Sequence, residues 1–117
     1  MKLNHINLTV NDAQGARRLL EKYFGLKSIE GATDDATFIA LKDDDGMVIT
    51  LMQQAAKEIT CPLTFHIGFL IHNEAKVREI YTSLKNDGYE VAEPRKYRGN
   101  SVDLYFKTPY GFTIQVT

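Results

Sequence analysis

A chain of 117 residues with 44% hydrophobic and 25% charged side chains has the composition of an ordinary globular domain and is too apolar to be disordered. Fourteen basic residues against fifteen acidic ones leave a net charge of -1 with no basic stripe, so nucleic acid is not an expected partner. No apolar run approaches the roughly 20 residues of a membrane span, Met1-Lys2-Leu3-Asn4-His5 has no signal-like apolar core, and the lone Cys61 excludes an internal disulfide, so a cytoplasmic protein engaging no membrane is expected.

The first strand is expected at His5-Ile6-Asn7-Leu8-Thr9-Val10, where polar and apolar residues alternate. Asn11 and Asp12 suit a helix N-cap, and Ala16, Leu19, Leu20, Tyr23 and Phe24 recur at helical spacing. Gly15 costs that helix about 1 kcal/mol relative to alanine, and Gly25 stands where a left-handed C-terminal residue belongs. Strands follow at Leu26 to Glu30, Thr37 to Leu41 and Met47 to Gln53, with a turn at Asp43-Asp44-Asp45-Gly46. That acidic run lacks the spacing and terminal Glu of a calcium loop.

The same order then returns. His66-Ile67-Gly68-Phe69-Leu70-Ile71 reads as a strand, and Asn73 caps a helix with Val77, Ile80, Tyr81 and Leu84 on one stripe. His72, just before the cap, reads as a solvent or capping residue. Asp87-Gly88 ends the helix, strands are expected at Tyr89 to Ala92, Ser101 to Phe106 and Phe112 to Val116, and Pro109-Tyr110-Gly111 is a turn. His5 corresponds to His66 at an offset of 61, Gly25 to Gly88 at 63, and Gly46-x-x-Ile49 to Gly111-x-x-Ile114 at 65. The expected organisation is therefore α+β: two strand–helix–three-strand modules, about 1–53 and 63–117, joined by 54–62 and folding as one domain.

The His-Ile opening of the first strand, Tyr23-Phe24-Gly25-Leu26 at the first helix end, and the closing Pro109-Tyr110-Gly111-Phe112-Thr113-Ile114-Gln115-Val116 resemble the vicinal oxygen chelate superfamily of glyoxalases, bleomycin resistance proteins and extradiol dioxygenases. The resemblance spans nearly the whole chain. It implies two βαβββ modules with curved mixed sheets forming a cleft, helices on the convex face, and a homodimer.

Alternation places His5, Asn7 and Thr9 on one face of the first strand, and likewise Thr50 with Met52, His66 with Gly68, and Thr113 with Gln115. The more apolar sets should pack on the helices, leaving His5, Thr50, His66 and Gln115 toward the cleft. The resemblance implies that metal-dependent relatives carry ligands at these four positions, usually His or Gln on first strands and Glu on last strands. Here both carboxylates are replaced, by Thr50 and Gln115. Two imidazoles, an amide and a hydroxyl bring no negative charge to offset the desolvation of a divalent ion. Neither Thr50 nor Gln115 can act as the base of a glyoxalase-type proton abstraction.

A cleft lined partly by Phe38, Met52 and Tyr105 would suit a flat or apolar small molecule. Arg98 suits a ligand carboxylate or phosphate, and equally a surface loop with Glu93, Arg95 and Lys96 nearby. In the strand Ser101 to Phe106, either Ser101, Asp103 and Tyr105 or Val102, Leu104 and Phe106 face the cleft; Asp103 is the nearest carboxylate to replace a missing ligand. Cys61 lacks an activating neighbour and reads as a bystander thiol.

Two functions compete, with a structural or regulatory module that only dimerises as a third class. The first is a homodimer binding a small molecule without a tightly held metal. The alternative is a metal-dependent lyase/isomerase or dioxygenase in which His5 and His66, with Gln115 as a third ligand, hold a weakly bound Ni, Zn, Fe or Mn ion. The paired histidines favour the second and the missing carboxylates the first; catalytic residues are not assigned in either.

Overall fold

The computed structural model describes residues 1–29, 33, 35–55, 58–97 and 99–117. The chain divides into two compact units, Met1–Thr60 and Cys61–Thr117. Each carries one helix and a four-stranded mixed sheet, the two βαβββ modules of an α+β fold.

In the first unit β1 (His5–Val10) leads into α1 (Ala13–Phe24), then β2 (Lys27–Ser28), β3 (Phe38–Lys42) and β4 (Val48–Gln53). The helix starts where Asp12 accepts a hydrogen bond from Gly15 N at 2.9 Å. It stops at Gly25, whose φ of 69° is left-handed and free of steric cost for glycine. The sheet order is β1-β4-β3-β2, with β1 and β4 parallel and the remaining pairs antiparallel. Alternation decides the layers: Leu8 and Val10, Ile39 and Leu41, and Ile49 and Leu51 are buried together with Ala13, Ala16, Leu19 and Leu20 of α1, which packs on β3 and β4. Burying one such leucine or isoleucine contributes about 1.5–3 kcal/mol. The alternate side chains of the strands form the opposite, open face.

The second unit repeats the plan with β5 (Ile67–Phe69), α2 (Glu74–Asn86), β6 (Arg95–Lys96), β7 (Val102–Lys107) and β8 (Thr113–Val116), in sheet order β5-β8-β7-β6. Asn73 caps α2 by accepting from Lys76 N at 3.1 Å. Val77 and Leu84 of α2 are buried, as are Ile67, Val102, Leu104, Phe106, Ile114 and Val116 of the sheet. That settles the open choice in β7: Asp103 and Tyr105 take the open face, and the apolar set is the core.

Three expected strands differ by more than a one-residue shift at their ends. The strand at Leu26–Glu30 pairs at Lys27–Ser28, because Leu26 N is spent on Leu20 O at 3.3 Å, and residue 30 lies outside the described residues. His66–Ile71 narrows to Ile67–Phe69, beyond which Ile71 N and His72 N both donate to Thr117 O, at 2.7 and 3.1 Å. Tyr89–Ala92 forms no strand; Arg95–Lys96 pairs with Val102 and Asp103 instead. Tyr89 N donates to Leu84 O at 3.0 Å at the helix end, and its ring packs edge-on against Phe106 at 5.5 Å. Tyr89 is thus held by the helix end and by Phe106 rather than by strand pairing. Among the described residues no helix is long and apolar enough to cross a membrane.

Candidate functional site

On the open face of the first sheet the registers of β1, β4 and β3 align side chains in cross-strand rows. His5, Val48 and Lys42 form one row, Asn7, Thr50 and Ala40 the next, and Thr9, Met52 and Phe38 the third. His5 and Thr50 therefore lie on one surface, in adjacent rows. Met52 and Phe38 are direct cross-strand neighbours, 49% and 55% exposed, an apolar pair left facing outward. Polar groups on this face are tied to one another. The Thr50 hydroxyl donates to Asn7 Oδ1 at 2.8 Å, and His5 Nδ1 lies 3.3 Å from Asn4 Oδ1.

The second sheet has the equivalent row. Gly68, Gln115 and Tyr105 stand where the first has Asn7, Thr50 and Ala40. Gln115 Nε2 donates to Asp103 Oδ2 at 3.1 Å. A Cβ added at Gly68 would meet Gln115 Oε1 first, at 4.0 Å, so the amide oxygen lies over the glycine. His66, one residue before β5, reaches across to Tyr105, with ring centroids 5.8 Å apart and planes at 75°. Its Nδ1 lies 2.9 Å from Thr64 O. Side chains from three separate stretches, His66, Asp103 with Tyr105, and Gln115, thus make one contiguous patch. Lys107 shares this face next to Thr113, and Arg95 of β6 is registered against Asp103.

The electrostatics of the patch centre on Asp103. Its Oδ2 is paired with the amide, while among the described residues its buried Oδ1 has no hydrogen-bond partner; such an unmade bond costs on the order of 1–3 kcal/mol. The Tyr105 hydroxyl is pushed above its ordinary value, first by burial, then by the negative charge of Asp103 and by Tyr97. It stays a neutral donor at physiological pH.

Of the sequence-predicted site residues, His5, Thr50, Phe38 and Met52 fall on the open face of the first unit, and His66, Gln115 and Tyr105 on that of the second. Arg98 lies outside the described residues. Sequence reasoning did not single out Asn7 and Gly68, the strand neighbours of Thr50 and Gln115, although alternation had put them on the same faces. It offered Asp103 as a stand-in ligand; the structure places it as the hydrogen-bond partner of Gln115.

The family model of the Glyoxalase/Bleomycin resistance protein/Dioxygenase superfamily matches residues 2–116. The chain belongs to this superfamily. A structure of a possible glyoxalase from Bacillus cereus is 42% identical, with a TM-score of 0.85 and coverage of 100% of this chain and 98% of that one. Two more distant structures share the superfamily fold. The genomically encoded fosfomycin resistance protein FosX from Listeria monocytogenes is 22% identical, with a TM-score of 0.79, and covers 99% of this chain and 91% of its own. Lactoylglutathione lyase from Agrobacterium tumefaciens is 17% identical, with a TM-score of 0.73 and coverage of 98% and 91%. No curated protein matches the sequence.

Membership of this superfamily raises the fit of a divalent metal. The first-unit positions offer an imidazole and a hydroxyl, and the second-unit positions an imidazole and an amide. Neither pair includes an anion. The carboxylate on the second face, Asp103, has one oxygen engaged by Gln115 and the other buried. Among the described residues, no group of three or more His, Cys, Asp or Glu side chains is placed to hold a metal ion. This donor set does not suit a tightly bound hard cation.

Proposed function

We propose that this chain is a small-molecule-binding member of its superfamily, acting as a homodimer in the cytoplasm and without a tightly held metal. The observation that carries the reading is the substitution of both last-strand carboxylates by Thr50 and Gln115, each engaged in a hydrogen bond within its own sheet. The apolar pair Met52 and Phe38 beside a polar row on the first unit's face, and separately the Tyr105–His66 pair on the second unit's face, each offer the mixed lining that suits a flat, partly aromatic molecule. Nucleic acid and membrane are not among the proposed partners. The test is calorimetric titration of the untagged protein with Ni²⁺, Zn²⁺, Fe²⁺ and Mn²⁺. Binding no tighter than about millimolar, roughly -4 kcal/mol, supports the reading. Stoichiometric binding abolished by His5→Ala and His66→Ala overturns it.

One observation favours a second reading, a divalent-metal lyase/isomerase or dioxygenase. Both histidines engage Nδ1 locally, His5 with Asn4 and His66 with Thr64, which leaves Nε2 available as in metal-ligating histidines. The same titration decides between the two.

A further inference from the structure

Hydrogen bonds at the second open face dictate which atoms it shows outward. Thr64 O can only accept, so the ring nitrogen 2.9 Å away, His66 Nδ1, carries the hydrogen. In the neutral ring Nε2 is then a bare lone pair, and among the described residues it has no partner. The Asp103 carboxylate likewise only accepts, so the Gln115 amide is held with Nε2 toward Oδ2 and Oε1 turned away, over Gly68. A glutamine normally reads donors and acceptors alike by flipping its amide. Here a flip would set Oε1 against a carboxylate. Two polar tips of this patch, His66 Nε2 and Gln115 Oε1, are thereby fixed as acceptors beside Tyr105, whose hydroxyl is a donor on the same patch.

We infer that the second-unit face selects small molecules presenting a hydrogen-bond donor, an amide N–H or a hydroxyl attached to a flat ring, and discriminates against carboxylates and phosphates, with Asp103 as the positioning residue that sets this polarity. The inference rests on the small-molecule reading above and names the chemical class of its ligand. Lys107 and Arg95, the cations nearest this patch in register, would favour an anion if charge alone governed recognition. The two hypotheses therefore predict opposite preferences.

The test uses the full-length ¹⁵N-labelled protein at pH 8. Long-range ¹H–¹⁵N spectra report the imidazole tautomers; His66 is expected with its hydrogen on Nδ1, and a hydrogen on Nε2 overturns the inference. Benzamide and benzoate, which share a ring and differ in presenting N–H donors or a carboxylate, are then titrated while following the amides of Gly68, Tyr105 and Gln115. Benzamide is expected to bind about tenfold tighter, the weight of one hydrogen bond made or missed. Equal or tighter binding of benzoate overturns the inference, as does the absence of shifts with either probe. In Asp103→Leu the amide is released and the preference should fall toward unity, whereas Asp103→Asn, which keeps an oxygen for Gln115 Nε2, should retain most of it. A preference unchanged in Asp103→Leu removes the positioning role. Failure of the underlying small-molecule reading shows separately, as stoichiometric metal binding in calorimetry, and leaves the tautomer result untouched.

Discussion

Thr108 stands in the second unit where Asp43 stands in the first, and the two residues tie the same turn with different side-chain atoms. In both, the backbone N–H donates to the carbonyl four residues on, Met47 O or Phe112 O, at 3.0 Å. Asp43 adds its Oδ1, accepting from Asp45 N and Met47 N at 3.0 and 2.8 Å. Thr108 adds its hydroxyl, donating to Phe112 O at 2.8 Å and accepting from Tyr110 N at 3.3 Å. Thr108 is buried, so Thr108→Val, which keeps the shape and deletes both side-chain bonds, is expected to cost about 1–2 kcal/mol. Asp43→Ala, at a more exposed turn, should cost about 1 kcal/mol. Urea unfolding with an unchanged m-value reads both; a neutral Thr108→Val would mean that the backbone bond alone holds the turn.

Restoring one missing carboxylate should be costly by itself. In Gln115→Glu an oxygen would replace the nitrogen now 3.1 Å from Asp103 Oδ2, turning a hydrogen bond into a like-charge contact. The pair would share a proton, with one folded-state pKa raised above its unfolded value. The sign follows from linkage: stability is retained below the unfolded carboxyl range and lost as pH rises through the raised value. Thermal unfolding of Gln115→Glu should therefore match the parent near pH 4 and fall behind it by about 1–3 kcal/mol at pH 8. Adding Asp103→Asn should cancel most of that deficit. A deficit independent of pH would exclude the shared proton.

Tyr105 offers a spectroscopic reading of the same carboxylate. Its hydroxyl is held above 10.0 first by burial and then by the charges of Asp103 and Tyr97. Tyrosinate absorbance, taken as the difference between the parent and Tyr105→Phe, should show a titration above that of a free tyrosine. Asp103→Asn should move it part of the way down, since burial, the larger cause, remains. No movement would place Asp103 outside the electrostatic reach of the ring.

Acid stability should depend on Glu21. Burial works to raise its carboxyl, but hydrogen bonds from Ser28 and Arg17 and the Arg17 charge outweigh it, and the net direction is below the ordinary 4.5. A lowered folded-state pKa contributes stability that is fully present above the unfolded value and lost as pH falls through the folded one. Ser28→Ala removes the 2.5 Å bond to Oε1 and should destabilise the protein at neutral pH while leaving it nearly unchanged below the folded value. Denaturant midpoints from pH 7 down to 3 measure this. An equal loss at every pH would assign the effect to packing.

Much of this architecture was legible because strand and helix periods differ and because the pattern occurs twice. The caps at Asp12 and Asn73, the stop at Gly25 and the buried sets of β1 and β4 follow from local chemistry that needs no tertiary context. The edge strands were harder. Arg95–Lys96 carries no apolar alternation, and its pairing is decided by where β7 lies. Nor could alternation say which set of β7 is core, since Tyr105 and Phe106 are both large and aromatic; the answer comes from packing against α2 and Tyr89. The Gln115–Asp103 bond was beyond reach, because it depends on the register of two strands and on a side-chain diagonal.

The central rows of the two open faces, Asn7–Thr50–Ala40 and Gly68–Gln115–Tyr105, share the same strand pairing and differ at every position. A duplicated backbone has thus accepted complete replacement of three adjacent side chains without a change of register. The burden of folding is carried by the opposite face, where leucine, isoleucine and valine recur in both copies. Change on one side of each sheet is in this way uncoupled from survival of the fold on the other. A chain so divided can acquire a new chemical specificity by point substitution, one row at a time, while the apolar face that holds its scaffold together is left untouched.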